Sequence, residues 1–270
     1  MSCTHVLHPR ARPVIRLVAS DVDGTLLDHH GRLPVGRGAA VRRLTSAGIP
    51  LVLATGKLWT SVRALVEDLG LAGPHVACNG SIVFDADGRV LSRTLLADGP
   101  AGVVMAELRA RSIVHAVYLE DGTIVTDRLD PAHDVLPLLG EPSPIVGEPE
   151  GRGVVKVLAI VAEREEGDLR ALARDDARVQ RTGPRFLEWN APGADKATGL
   201  AAVTTHLGIA MADVLAVGDA ENDVPMLRAA GVGVAVAGAS ATAVAAADRT
   251  LTGDLAELLD ELAAAGRALA

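Results

Sequence analysis

Apolar runs that stop abruptly at polar clusters constrain this chain more than any other feature. Val14-Ile15-Arg16-Leu17-Val18-Ala19-Ser20 ends on Asp21-Val22-Asp23-Gly24-Thr25, and Ile49 to Ala54 ends on Thr55-Gly56-Lys57. Between such runs, Val35 to Ala47 and Leu58 to Leu69 carry apolar residues at helical spacing, and a third strand-like run follows at His75 to Cys78. Continuous apolar strands alternating with helices predict a parallel sheet covered on both faces. The rhythm returns late in the chain. A helix from Lys196 to Leu207 precedes the strand Val214–Gly218, and a helix from Val224 to Ala230 precedes Val232–Val236. Helices near Ala239–Ala247 and Asp254–Ala264 close the chain.

The middle reads differently. Ser81–Phe84 and Arg89–Leu95 flank Asp85-Ala86-Asp87-Gly88, and Ile113–Leu119 and Thr123–Asp127 flank Glu120-Asp121-Gly122, two hairpin signals. A Pro/Gly/Glu-rich loop spans Pro131 to Gly153. A strand at Val154–Val161, a helix at Glu165–Arg174 and strands around Val179 and Phe186–Trp189 follow. The fold class expected is therefore α/β: a doubly wound parallel-sheet core over 14–82 and 187–270, with an inserted α+β domain over 83–186 and a leader over 1–13.

Composition narrows the function. The chain has 270 residues, 49% of them hydrophobic, enough for one large core with a smaller module. A net charge of −8 with no basic stripe, and only 2% aromatics, argue against nucleic-acid partners. No apolar run reaches the roughly 18–20 residues of a membrane span, and 1–13 lacks the apolar stretch of a signal peptide. Two cysteines, Cys3 and Cys78, suit a reducing cytoplasm. The oligomeric state is left open.

Four segments fall where core strands end, the place where open α/β sheets bind ligands. Asp21 and Asp23 share one side of an extended backbone and repel each other, so the pair calls for a cation such as Mg²⁺ or a shared proton; a plain Asp-Gly turn is the alternative. At Thr55-Gly56-Lys57, a hydroxyl and a backbone N–H at a helix start suit phosphate oxygens, although Thr55 also suits a helix cap. Lys196, in a first helical turn, opposes the helix dipole unless an anion such as Asp21 or a phosphoryl group faces it; solvent exposure is the alternative. In Gly218-Asp219-Ala220-Glu221-Asn222-Asp223, Asp219 and Asp223 bracket one turn. That segment fails as a calcium loop, with Val224 and Ala230 at the positions needing glycine and glutamate. Gly56-Lys57 is not a P-loop, since Leu51 and Leu58 stand where glycine and Ser/Thr are needed. Gly231-Val232-Gly233 lacks the third dinucleotide glycine, and no Gly-x-Ser-x-Gly occurs.

Taken together, Asp21-Val22-Asp23-Gly24-Thr25-Leu26-Leu27-Asp28, Ala54-Thr55-Gly56-Lys57, Cys78-Asn79-Gly80, Lys196 and Gly218-Asp219-x-x-Asn222-Asp223 resemble the haloacid dehalogenase superfamily, and within it the Cof-type, or type IIB, phosphatases. Lys57 replaces the usual arginine, and Ala237-Gly238-Ala239 the usual Gly-Asn-Ala. The resemblance implies a nucleophile, Asp21, and a general acid/base, Asp23. It implies Mg²⁺ held by Asp21, the Asp23 carbonyl and Asp219, with Asp223 in the first shell or on a bound water. Thr55, Gly56, Lys196 and Asn222 would hold the phosphate, and the inserted domain would act as a cap. The expected activity is hydrolysis of a small phosphorylated metabolite, a sugar or polyol phosphate; the alternatives are a phosphomutase and a catalytically silent phosphate-binding module.

Overall fold

The computed structural model describes residues 14–173, 175–182 and 185–267; the expected leader lies outside them. A five-stranded parallel sheet forms the core. Its strands are β1 (Leu17–Ser20), β2 (Leu51–Leu53), β12 (Val214–Gly218), β13 (Val232–Ala235) and β14 (Arg249–Thr250), in the order β14-β13-β12-β1-β2. Side-chain alternation explains why both faces are covered. Val18, Leu51, Leu53, Leu215 and Val217 join one buried cluster with Val41 and Leu44 of α1 (Arg37–Ser46) and Leu258 and Leu259 of α8 (Leu255–Arg267). Leu17, Ala19, Val52, Val214 and Ala216 join another, with Leu200 and Val203 of α5 (Lys196–Leu207), Met226 and Leu227 of α6 (Val224–Ala229) and Ala243 of α7 (Ala241–Ala246). β1, β2 and β12 thus each feed two cores, which is why their runs read as continuously apolar.

Two expected boundaries differ from the sheet pairing. The hairpin β4 (Ile82–Phe84) and β5 (Val90–Arg93) pairs antiparallel with β3 (His75–Ala77), and β3 joins the core through a parallel bridge between Ala54 and Val76. The hairpin placed in the cap by its patterning therefore extends the core sheet. Conversely, β11 (Phe186–Asn190) pairs with β9 (Val154–Ile160), so residues 187–190 belong to the second sheet rather than the first. Period-two patterning reports a half-buried strand and not the sheet that it joins.

The second sheet has six strands in the order β10-β11-β9-β6-β7-β8, adding β6 (His115–Leu119), β7 (Ile124–Thr126), β8 (Ile145–Val146) and β10 (Arg178–Arg181). One face packs on α3 (Asp98–Ala110), where Ala101, Val104 and Leu108 meet Val117, Val157, Leu187 and the fully buried Trp189. The other face turns towards the core. Helix α3 was not foreseen: its i, i+3, i+7 apolar pattern follows an Asp-Gly-Pro start that reads as a loop. The helix expected at 165–174 is two short 3₁₀ turns, Glu163–Glu165 and Leu169–Ala171, with Gly167 at φ 52° between them. Among the described residues, the remaining α-helices are α2 (Trp59–Leu69) and the single turn α4 (Val135–Leu138). No described helix is long and apolar enough to cross a membrane.

Candidate active site

The carboxyl ends of β1 and β12 deliver Asp21 and Asp219 side by side, because the two strands pair in parallel register with Ser20 opposite Val217. One carboxylate oxygen from each of Asp21, Asp219 and Asp223 lies within 4.8 Å of the others. Lys196 Nζ is fully buried among them and donates to Asp21 Oδ1 and Asp223 Oδ1, each at 2.5 Å. The lysine that opposes its own helix dipole is thus compensated by two carboxylates. Asp195 caps that helix by accepting from the Thr198 N–H at 2.8 Å.

Burial pushes the Asp21 carboxyl well above its ordinary pKa; the Lys196 charge pulls it back, and Asp223 and Asp219 push it up again. Burial and the Asp223 charge also raise Asp219. For Lys196, burial alone would lower the pKa, but Asp21 and Asp223 outweigh it and hold the ammonium above its usual value. Carboxylates this close and this dry are short of positive charge, and their all-oxygen donor set suits a hard divalent cation such as Mg²⁺. Asp223 offers least to an ion: Oδ1 is on Lys196, and Oδ2 accepts from the Asp219 and Ala220 N–H groups at 2.9 Å. Thr25 Oγ1 donates to Asp219 Oδ1 at 3.0 Å and fixes that carboxylate. Gly24, at φ 81°, is required there, since a Cβ would sit 2.7 Å from Asp219 Oδ2.

Asp23 stands apart from this cluster. Its carboxylate is half exposed and lies 3.2 Å from Lys57 Nζ, which also donates to the Leu139 carbonyl from the second sheet's domain. Thr55 is buried and its hydroxyl accepts from the Lys57 N–H at 3.2 Å. The Gly56 N–H makes no hydrogen bond to any described residue. Asn222 Nδ2 donates to Asn79 Oδ1 at 2.9 Å. Asp21, Asp23, Thr55, Gly56, Lys57, Asp219 and Asn222 all border one pocket of about 300 Å³, roofed by Tyr118, Leu158 and Phe186 from the second sheet and Leu136 and Leu139 beside it.

Period-two geometry explains the roof. With Val117, Val157, Leu187 and Trp189 turned to α3, the intervening Tyr118, Lys156, Leu158, Phe186 and Glu188 face the core. Lys156 and Glu188, both nearly fully buried, pair at 2.8 Å, and Lys156 Nζ lies 4.4 Å from the Tyr118 ring centroid. Glu141 reaches from the loop after α4 to accept from Ser61 Oγ at 2.6 Å and the Leu58 N–H at 3.2 Å. Burial raises its pKa. Lys156, Glu188 and Glu141 were missed from the sequence, yet a single charge inside each of two apolar strands was the available signal. The sequence places Tyr118, Glu120, Arg181 and Arg185 in the inserted domain without fixing which way they point; of these, Tyr118 borders the pocket and Arg185 is exposed. Glu120 instead pairs with Arg93 at 2.6 Å, and Arg181 with Glu166.

Comparison with known proteins agrees with this architecture. Residues 18–254 match the family model of haloacid dehalogenase-like hydrolases. The chain is 29% identical over 233 residues to a 5-amino-6-(5-phospho-D-ribitylamino)uracil phosphatase of Bacillus subtilis, covering 81% of this chain and 82% of the relative. It is 31% identical over 242 residues to the HMP-PP phosphatase of Yersinia pseudotuberculosis, with 81% and 82% covered. Among solved structures, a HAD-superfamily phosphatase from Bacteroides thetaiotaomicron superposes with a TM-score of 0.79 at 26% identity, over 95% of this chain and 98% of that one. A HAD/COF-like hydrolase from Plasmodium vivax shares the fold with a TM-score of 0.84 at 23% identity, over 96% and 97% of the two chains. The chain belongs to the haloacid dehalogenase-like hydrolases. Within that family it is a Cof-type phosphatase, a phosphoric monoester hydrolase.

Proposed function

We propose that this enzyme hydrolyses a small phosphorylated metabolite in two displacements at Asp21, with Mg²⁺ as its cofactor, in a reducing cytoplasm. The observation that carries this is the buried Asp21–Lys196–Asp223 cluster with Asp219 beside it, at the strand ends where the pocket between the two sheets begins. In the first displacement an Asp21 oxygen bonds to phosphorus, the bond from phosphorus to the leaving oxygen breaks, and Asp23 gives that oxygen its proton. In the second, water attacks phosphorus, Asp23 takes a proton from it, and the Asp21–phosphorus bond breaks to release phosphate. Lys196, the Gly56 N–H, Thr55 and Asn222 hold the phosphoryl oxygens through the transfer, in which positioning and charge stabilisation dominate. Mg²⁺ held by Asp21, Asp219 and the Asp23 carbonyl, with Asp223 in support, would neutralise the crowded carboxylates and the phosphoryl charge.

The inserted domain acts in this reading as the cap, its expected bounds of 83–186 shifted by the sheet pairing to about 94–190, and the cap reads the leaving group while excluding water. Sugar and polyol phosphates are the first class to assay. Phosphates of flat, weakly polar leaving groups belong beside them, because Leu136, Leu139, Leu158, Phe186 and the Tyr118 ring wall the pocket. Both curated relatives named above are phosphatases, which favours hydrolysis over the mutase alternative. The test is phosphate release from a panel of phosphorylated metabolites with Mg²⁺ and no bisphosphate activator. Isomerised phosphate ester without release would make the enzyme a mutase, and no turnover of any ester would leave a binding module.

A further inference from the structure

Resting on the assignment of Gly56 and Asn222 to phosphate binding, we propose that Asn79 is a positioning residue through which the cap's Lys156–Glu188 pair sets the orientation of the phosphate clamp. The chain reverses sharply after β3: Cys78 and Asn79 both adopt left-handed backbone conformations, at φ 49° and 53°, and are fully buried. Such consecutive non-glycine residues are uncommon and persist only where the surroundings hold them. Gly80 follows at φ 95° and passes so close to Asp195 that a Cβ would lie 1.9 Å from its carbonyl oxygen. The reversal places the Asn79 amide between the clamp and the cap.

Each carbonyl of the phosphate turn is then held from behind. The Thr55 carbonyl accepts from the Asn79 N–H at 2.9 Å, and the Lys57 carbonyl from the Cys78 N–H at 2.8 Å. The Gly56 carbonyl accepts from Lys156 Nζ of the cap at 3.0 Å. Glu188 supplies the second link. Its Oε1 accepts from Lys156 and from Thr182 Oγ1, each at 2.8 Å, and its Oε2 accepts from Asn79 Nδ2 at 2.8 Å. An ionised carboxylate accepts and cannot donate, so it fixes which end of the Asn79 amide faces it. Asn79 must turn its oxygen to Asn222, and Asn222 must answer with its nitrogen, at 2.9 Å. One N–H of Asn222 is thereby left for an anion. The charge on Glu188, in the cap, thus decides the orientation of two amides in the core.

The test uses the full-length enzyme with Mg²⁺, p-nitrophenyl phosphate as substrate and inorganic phosphate as inhibitor. Asn79→Gly keeps the left-handed turn and deletes the side chain with its amide. We expect it to lower kcat about tenfold and to weaken phosphate inhibition by a similar factor, with a lower melting temperature as buried Glu188 and Asn222 lose a partner. Asn222→Ala should do the same, and the double variant should be no worse than Asn222→Ala alone. Glu188→Gln lets the amide chain invert, so it should lower kcat in the wild-type background and not in the Asn79→Gly background. Additive losses in the double variants, or unchanged phosphate inhibition in Asn79→Gly, would overturn the proposal. If Asn79→Gly does not fold, the Glu188→Gln and Asn222→Ala cycle decides in the same way. Unchanged phosphate inhibition in Asn222→Ala would remove Asn222 from the clamp and the proposal with it, whereas the phosphatase assignment stands or falls separately on Asp21→Asn.

Discussion

Lys57 Nζ lies 3.2 Å from Asp23 Oδ1 and at the same time donates to the Leu139 carbonyl, so one lysine joins the proposed proton-transfer residue to the domain of the second sheet. Asp23 and Lys57 also border a second cleft of about 640 Å³, between residues 22–31 and 137–140, so this junction separates the substrate pocket from that opening. Lys57→Met should leave the fold intact and lower kcat for an aryl phosphate about five- to tenfold, the effect of losing one charged hydrogen bond. Lys57→Arg should recover most of the loss, since it keeps a cation within reach of Asp23. Steady-state turnover of the two variants decides; equal activity of Lys57→Met and wild type would reduce the pair to a surface contact.

Asp21→Asn should abolish turnover without unfolding the protein. The amide keeps the shape of the carboxyl group but is no nucleophile, and Lys196 retains Asp223 as its charge partner at 2.5 Å. Phosphate release and a thermal melt of the purified variant test both halves. Sustained steady-state release would remove Asp21 from the nucleophile's role.

Chelation should silence the enzyme, and Mg²⁺ should restore it better than Ca²⁺. Ca²⁺ takes more ligands at longer distances, which would displace the Asp21 carboxylate from its line of attack. Asp219→Ala should raise the Mg²⁺ concentration needed for half-maximal rate, because it deletes the carboxylate that Thr25 fixes at 3.0 Å. Full activity in EDTA would end the metal assignment.

His75 should make the protein acid-sensitive. Its Nδ1 accepts the Leu53 N–H at 3.1 Å, so the neutral ring carries its proton on Nε2, and burial pushes its pKa down from 6.5 to about 4. The unfolded chain gains that proton as pH falls through 6.5, whereas the folded chain does not until about 4. Stability is therefore lost between those values and levels off below them, by about 3 kcal/mol in all. His75→Gln still offers Leu53 an acceptor and should flatten this limb in urea melts from pH 7 to 4. An unchanged slope would assign the acid sensitivity to other groups.

Leu17–Ala19, Leu51–Ala54 and Val214–Gly218 could be read as buried parallel strands because burial on both faces leaves no polar positions in them. The polar clusters at their ends, with Asp21, Thr55 and Asp219, followed from where such strands stop. These are local properties, carried by adjacent residues. Other features were set by contacts between residues far apart in the chain. Patterning could not say that β4 and β5 extend the core sheet while β11 belongs to the six-stranded sheet, since either sheet buries the same alternate positions. The partners of Lys156 and Glu188 were equally hidden. An isolated charge in an apolar strand announces that it must be paired, but Gly56, Asn79 and Tyr118 become its neighbours only when the two sheets close on each other. The sequence by itself determined the core strands and the chemistry at their ends, because each depends on a short run of residues. Only the tertiary structure decided which residues of the second sheet meet that chemistry, because the meeting depends on the packing of segments about 100 residues apart, as for Lys156 and Gly56.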